Sequence, residues 1–77
     1  MSKVNAKGKK TLKKFGLLVR QLREKKDWTL EDAEEHGFSS WRYLQRLEAG
    51  KHNVSLLTLI ELARLYRIPL SDLLKGL

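Results

Sequence analysis

The segment 40–50 constrains the fold most, because it predicts a short helix with two different faces. At 100° per residue, one sector of this helix would carry the apolar side chains Trp41, Tyr43, Leu44 and Leu47. The opposite sector would carry Arg42, Gln45 and Arg46. Ser40 is a typical N-cap residue, and Gly50 stands where a helix commonly ends. We therefore predict a helix that buries one face and leaves the other free to make contacts.

Start and stop signals along the rest of the chain predict an all-α fold of five helices. The predicted bounds are Leu12 or Phe15 to Lys26, Thr29 to about His36, the 40–50 segment, Ser55 to Tyr66, and a last helix after Pro69. Hydroxyl side chains stand at four predicted helix starts, namely Thr11, Thr29, Ser40 and Ser55. Asp32, three residues after Thr29, is a weak form of a capping box. No stretch of useful length alternates as a strand would.

Positive charge is concentrated at the N-terminus. The chain carries a net charge of +7, and residues 1–14 contain six lysines and no acidic residue. Residues 15–77 hold ten basic and nine acidic side chains, so the rest of the chain is nearly neutral. We predict a mobile basic leader over residues 1–11, containing Lys3, Lys7, Lys9 and Lys10, and a folded domain over residues 12–77. The leader could lie along phosphates or a minor groove, or could serve only to keep the chain in solution.

Length and composition exclude several classes of protein. A chain of 77 residues makes one small domain. It has no cysteine, and His36 and His52 are too scattered for a zinc site. No catalytic cluster with a plausible pocket is evident, and no apolar run reaches the roughly 18–20 residues of a membrane span. We therefore expect a cytoplasmic protein that is not an enzyme, with no cofactor, metal, small-molecule ligand or membrane contact.

The second and third predicted helices have the form of a helix-turn-helix, because a few residues that include a glycine join them. The ordered motifs are Trp-Thr-Leu-Glu at 28–31, Arg-Leu-Glu-Ala-Gly-Lys at 46–51, Asn-Val-Ser-Leu at 53–56, Leu-Ala at 62–63 and Leu-Ser-Asp-Leu-Leu at 70–74. Together they resemble the lambda repressor–Cro-like family of DNA-binding domains, also called xenobiotic-response-element-type regulators. The resemblance covers residues 15–75 and implies a five-helix domain that binds double-stranded DNA.

The resemblance also implies a set of DNA-contacting residues. The matching positions are Thr29, Leu30, Ser40, Trp41, Arg42, Gln45, Arg46, Lys51 and Asn53. Those on the third helix would read bases, and those at the start of the second helix and in the following loop would meet phosphates. The chemistry agrees, because arginine pairs bidentately with guanine and glutamine with adenine. Two alternatives stay open, since Trp41 could pack on the second helix and both arginines could be ordinary solvated charges.

A structural ion pair between Arg23 and Glu48 is implied by the same resemblance. The sequence supports it independently, because Glu48 falls inside the apolar sector of the third helix. A buried carboxylate needs a partner, and Arg23 lies at the edge of the apolar stripe of the first helix. The alternative is a solvated Glu48 near the helix end.

Two departures from the family pattern fall in the second helix and the turn after it. Ala33-Glu34 stands where Leu-Ala is usual, and Phe38-Ser39 stands where a glycine and an apolar residue are usual. A shifted turn would repair both, with Ala33 as the small contact between the helices and Phe38 as the apolar plug. Glu34 would then belong to a solvated acidic face that also includes Glu31, Asp32 and Glu35.

The function predicted from these features is a sequence-specific, DNA-binding transcription regulator. The alternative is a protein-interaction module on the same fold, such as an antitoxin or a regulator subunit, which the acidic second helix favours. RNA binding is a weaker alternative, because an exposed aromatic platform is lacking.

The fourth helix also suggests a homodimer. Its core side is expected to carry Leu56, Leu59, Ile60, Leu62 and Ala63. Leu57 and Leu65 would lie on the other side and, with the fifth helix and Leu77, could form a self-complementary patch. Packing of this patch within one chain is the alternative.

Overall fold

The computed structural model describes residues 5–77, which form five helices. Their bounds are α1 Ala6–Lys25, α2 Leu30–Glu35, α3 Trp41–Glu48, α4 Leu56–Tyr66 and α5 Leu70–Leu74. The described part of the chain contains no strand, so the predicted all-α, five-helix fold is confirmed. Over the same residues, no helix combines the length and the apolar character that crossing a membrane requires.

The start of α1 was predicted wrongly. This helix begins at Ala6 rather than at Leu12 or Phe15, and its N-cap is Asn5, whose side chain accepts a 2.8 Å hydrogen bond from the Gly8 amide. Thr11 is therefore no cap, and its hydroxyl donates to the Lys7 carbonyl instead. The prediction followed the apolar stripe, whereas alanine and lysine also favour a helix that buries nothing. Lys3 lies outside the described residues, and the division of the chain at residue 11 stays a prediction.

The other predicted caps are present. Thr29 and Asp32 form a complete capping box, in which each side chain accepts from the other residue's amide, at 3.0 and 2.8 Å. Ser40 accepts from the Tyr43 amide and Ser55 from the Thr58 amide. These bonds satisfy first-turn donors that would otherwise lack a partner, and so they set where α2, α3 and α4 begin.

All five helices contribute to the core. Its buried residues are Phe15, Val19, Ala33, Phe38, Leu44, Leu47, Leu62, Tyr66 and Leu73. Gly16 lets α1 cross the end of α3 at backbone distance, because a Cβ there would lie 2.5 Å from the Glu48 carbonyl oxygen. This crossing fixes the position of α3 on the domain.

The shifted turn between α2 and α3 is confirmed. Ala33 is fully buried and Phe38 is 3% exposed, so they serve as the small contact and the apolar plug. The Phe38 amide donates to the Ala33 carbonyl, which closes the end of α2. The turn is also tied to α4, because the Ser39 amide donates to the Glu61 carboxylate at 2.8 Å.

On α4 the predicted core side is correct for Leu62, which is buried, and for Leu59 and Ala63, which pack against the core, but it is wrong for Leu56. Leu56 is 63% exposed, and the buried positions are Thr58, Leu62 and Tyr66. Positions spaced by four residues form one stripe of a helix, and Leu56 lies about 120° from Leu62 at 100° per residue. Leu65, which was expected to face away, packs partly against the core.

Candidate nucleic-acid interface

The exposed face of α3 carries the residues predicted to read bases. Arg42, Gln45 and Arg46 are all exposed, whereas Leu44 and Leu47 on the opposite side are almost completely buried. Because the buried face locks the helix to the core, the three polar side chains project together from a fixed support.

Both arginines of this face are free of protein counter-charges. Among residues 5–77, the only ion pairs within 4.0 Å are Arg20–Glu24 and Arg23–Glu48. The guanidinium carbon of Arg42 lies 5.3 Å from the ring centroid of Trp41, in a cation–π contact. Trp41 is half-buried, so its ring supports Arg42 from beside the face. The helix thus presents two positive charges that protein carboxylates do not neutralise.

The start of α3 is held by one residue that the sequence interpretation assigned to a solvated face. The Glu34 carboxylate accepts a 2.8 Å hydrogen bond from the Trp41 amide, while the Ser40 hydroxyl accepts one from Tyr43. A negatively charged side chain at a helix N-terminus also interacts favourably with the positive end of the helix dipole. No local pattern identifies this contact, because Glu34 lies seven residues away on α2.

Tyr43 and His52 attach α3 to the loop that follows it. The Tyr43 hydroxyl shares a 3.2 Å hydrogen bond with the Thr58 hydroxyl. Its ring centroid lies 6.0 Å from that of Phe38 and 5.4 Å from that of His52, which meets it edge-on. Both side chains therefore pack between structural elements.

The loop after α3 keeps its two predicted contact residues exposed. Lys51 and Asn53 are both exposed. The Lys51 amide donates to the Arg46 carbonyl at 3.1 Å, so the loop starts from the last turn of α3. This bond brings Lys51 to the C-terminal end of the exposed face.

The start of α2 offers less than the family pattern implies. The Thr29 amide is already bonded to the Asp32 carboxylate, which also places a negative charge beside it. The Leu30 side chain packs against the core, so only its backbone can meet a phosphate. Within residues 5–77, the amides of Leu30 and Glu31 have no protein acceptor, and these two donors remain free.

Arg23 and Glu48 form a bidentate pair inside the domain. Arg23 Nε lies 2.8 Å from Glu48 Oε2, and Nη2 lies 2.9 Å from Oε1. The third arm of Arg23, Nη1, donates to the Trp28 carbonyl at 2.8 Å. The side chains are 13% and 7% exposed, and the hydrogen bond to Glu48 raises the pKa of Arg23. One residue thereby joins α1, α3 and the turn before α2.

The buried Tyr66 ring lies close to this pair. Burial, and then the charge of Glu48, raise the pKa of Tyr66 to about 12. The hydroxyl has no hydrogen-bond partner among the described residues. The phenol therefore stays neutral at physiological pH.

In the described part of the chain, no group of three or more His, Asp or Glu side chains is placed so that it could hold a metal ion.

The sequence model of a family described as helix-turn-helix matches residues 19–73, which is most of the chain. No curated protein and no solved structure matches the chain. The match spans α2, the shifted turn, α3 and α4, together with residues 19–25 of α1 and residues 70–73 of α5. The chain therefore belongs to the lambda repressor–Cro-like helix-turn-helix family, a family of DNA-binding regulators.

Proposed function

We propose that this protein is a sequence-specific transcription regulator whose α3 reads base edges in the major groove of DNA. The observation that carries the proposal is the exposed, unneutralised face of Arg42, Gln45 and Arg46 on a helix whose other side is buried. Arginine can bind the O6 and N7 atoms of guanine with two hydrogen bonds, and glutamine can bind N6 and N7 of adenine. A binding role is proposed, and no catalytic one.

Phosphate contacts would set the position of α3 in the groove. We assign them to Lys51 and Asn53 in the loop after α3, and to the free amides at the start of α2. Only the end of α2 can approach the backbone, because Glu31, Asp32 and Glu35 along its length would repel phosphates. The loop therefore carries more of the positioning than α2 does.

The competing proposal is a protein-interaction module on the same fold. Leu57, which is 77% exposed, and the acidic α2 favour it. Selection of binding sites from a random duplex library, followed by titration of the winning duplex and of random duplex, separates the two. A regulator should bind the selected duplex at least about 10³-fold more tightly at physiological salt. Equal, weak binding to both duplexes would leave the interaction module as the function.

We also propose that two copies act together as a homodimer. The leucines that α4 and the C-terminal segment leave exposed are Leu56, Leu57, Leu74 and Leu77. A two-fold dimer through them would place two α3 helices on half-sites about one helical turn apart, roughly 34–36 Å.

In sedimentation, the wild-type protein should show a concentration-dependent dimer. Leu57→Lys should weaken the dimer at least about tenfold, because it puts a charge into the apolar contact. Leu17→Lys is the matched control, because Leu17 is an exposed leucine on α1. A wild-type monomer at high concentration, or equal effects of the two substitutions, would contradict the dimer.

A further inference from the structure

A second basic surface lies between the first turns of α1 and the loop after α3. It is a groove of about 400 Å³ whose walls include Lys9, Lys10 and Lys13 from α1 and Lys51 and Asn53 from the loop. No acidic side chain lines it. Among residues 5–77, no carboxylate lies within 4.0 Å of any of these four lysines. The groove is therefore a concentration of positive charge without an internal counter-charge.

The groove has a built geometry, because the two walls meet at backbone distance. Gly50 has φ +74, and a Cβ there would lie 2.9 Å from the Cα of Lys13. The α1 wall is regular helix, and at its start the Gly8 amide donates to the Asn5 side chain and the Lys9 amide donates to the Asn5 carbonyl. The lysines are thus presented by ordered backbone on both sides.

The clustering of these lysines destabilises α1, the helix that carries three of them. Lys9 and Lys13 are four residues apart and Lys10 and Lys13 three apart, so like charges share one side of α1. The first turn contains no acid, and cations there lie near the positive end of the helix dipole. A bound polyanion would remove both penalties, since it would neutralise the lysines and face the dipole.

We propose that this groove binds the phosphodiester backbone of the same DNA duplex that α3 reads, outside the bases that α3 contacts. The groove adjoins the C-terminal end of α3, because its lining residues Ala49 and Gly50 directly follow that helix and the Lys51 amide donates to the Arg46 carbonyl. The inference rests on the proposed DNA binding and adds Lys9, Lys10 and Lys13 to it. Lys9, Lys10 and Lys13 act as a helical edge of the interface, because all three lie on α1.

The test compares two triple variants of the full chain. The groove variant carries Lys9→Gln, Lys10→Gln and Lys13→Gln, which keep good helix formers on α1. The control carries Lys14→Gln, Lys25→Gln and Lys75→Gln, which remove the same charge from exposed lysines that do not line the groove. Both variants should melt as cooperatively as the wild type. Binding of each to random duplex is then measured as a function of salt concentration.

The slope of log K against log salt should be shallower by about 2.7 in the groove variant, because each of its three lost phosphate contacts removes about 0.9. In the control, the slope should be shallower by less than about 1. The groove variant should also weaken random and selected duplexes by similar factors, since phosphate contacts carry no sequence information. Equal slopes for the two variants would overturn the groove assignment.

Failure of the groove is distinguishable from failure of the proposed function. The salt dependence of binding to random duplex reports on the phosphate contacts of the groove, whether or not the protein prefers any base sequence. A wild-type protein without sequence preference, whose salt slope still falls only in the groove variant, would overturn base reading and support the groove. If the wild-type protein is sequence-specific but the two variants have equal salt slopes, base reading by α3 is supported and the groove assignment is overturned.

Discussion

Replacing Glu48 by alanine should lower the free energy of unfolding by roughly 3–5 kcal/mol, because it leaves the largely buried Arg23 guanidinium, whose side chain is 13% exposed, without its counter-charge. Replacing Arg23 by alanine should cost at least as much. It strands the Glu48 carboxylate, which is 7% exposed, and it also removes the hydrogen bond to the Trp28 carbonyl. Chemical denaturation of the two variants, followed by circular dichroism, measures both effects.

The double replacement should cost clearly less than the sum of the two single ones, because it leaves no unpaired buried charge. The control cycle uses Arg20 and Glu24, which form an ion pair on the exposed surface of α1 with side chains 57% and 53% exposed. Its coupling should be about 0.5 kcal/mol or less. A domain of this size is expected to have a stability of only about 4–12 kcal/mol. Glu48→Gln therefore provides a milder variant in case Glu48→Ala does not fold.

If the effects of the Arg23 and Glu48 replacements on the free energy of unfolding are simply additive, the interaction between these two side chains does not stabilise the fold. The same would follow if both single variants were as stable as the Arg20 and Glu24 variants. Either outcome would contradict the role assigned to this pair in holding α3 against α1.

The parts of the fold that could be predicted from the sequence are those governed by short-range rules. Thr29, Ser40 and Ser55 cap helices because a hydroxyl one turn upstream can reach the free amides. Ala33 and Phe38 could be assigned to the core because a shifted turn that buries both residues accounts for the two departures from the family pattern. Glu48 required a partner because a carboxylate in an apolar sector is costly, and Arg23 is found at 2.8 Å.

Other features depended on distances that sequence patterns do not contain. The start of α1 was misjudged because its first turns bury little, so no apolar stripe marks them. Glu34 and Glu61 tie the turn to its neighbours through partners 7 and 22 residues away. The lysine groove depends on the close approach of Gly50 to Lys13, which only the packing of α1 against the loop reveals.

Base reading by α3 predicts a selective effect of replacing either exposed arginine by alanine. Arg42→Ala and Arg46→Ala should each weaken binding to the selected duplex by about 1–3 kcal/mol, because each removes a bidentate contact to one base. Affinity for random duplex should fall only by the small amount that the loss of one positive charge causes. Lys51→Ala is the matched control, because a phosphate contact weakens binding to every sequence alike.

The most direct measurement is therefore site selection from a random duplex library, repeated with wild-type protein, Arg42→Ala, Arg46→Ala and Lys51→Ala. Each arginine variant should lose base preference at its own position of the site and keep it at the others, while Lys51→Ala should return the wild-type site with lower affinity. If Arg42→Ala and Arg46→Ala also return the unchanged wild-type site, the two arginines contact only phosphates, and α3 does not read the sequence through them.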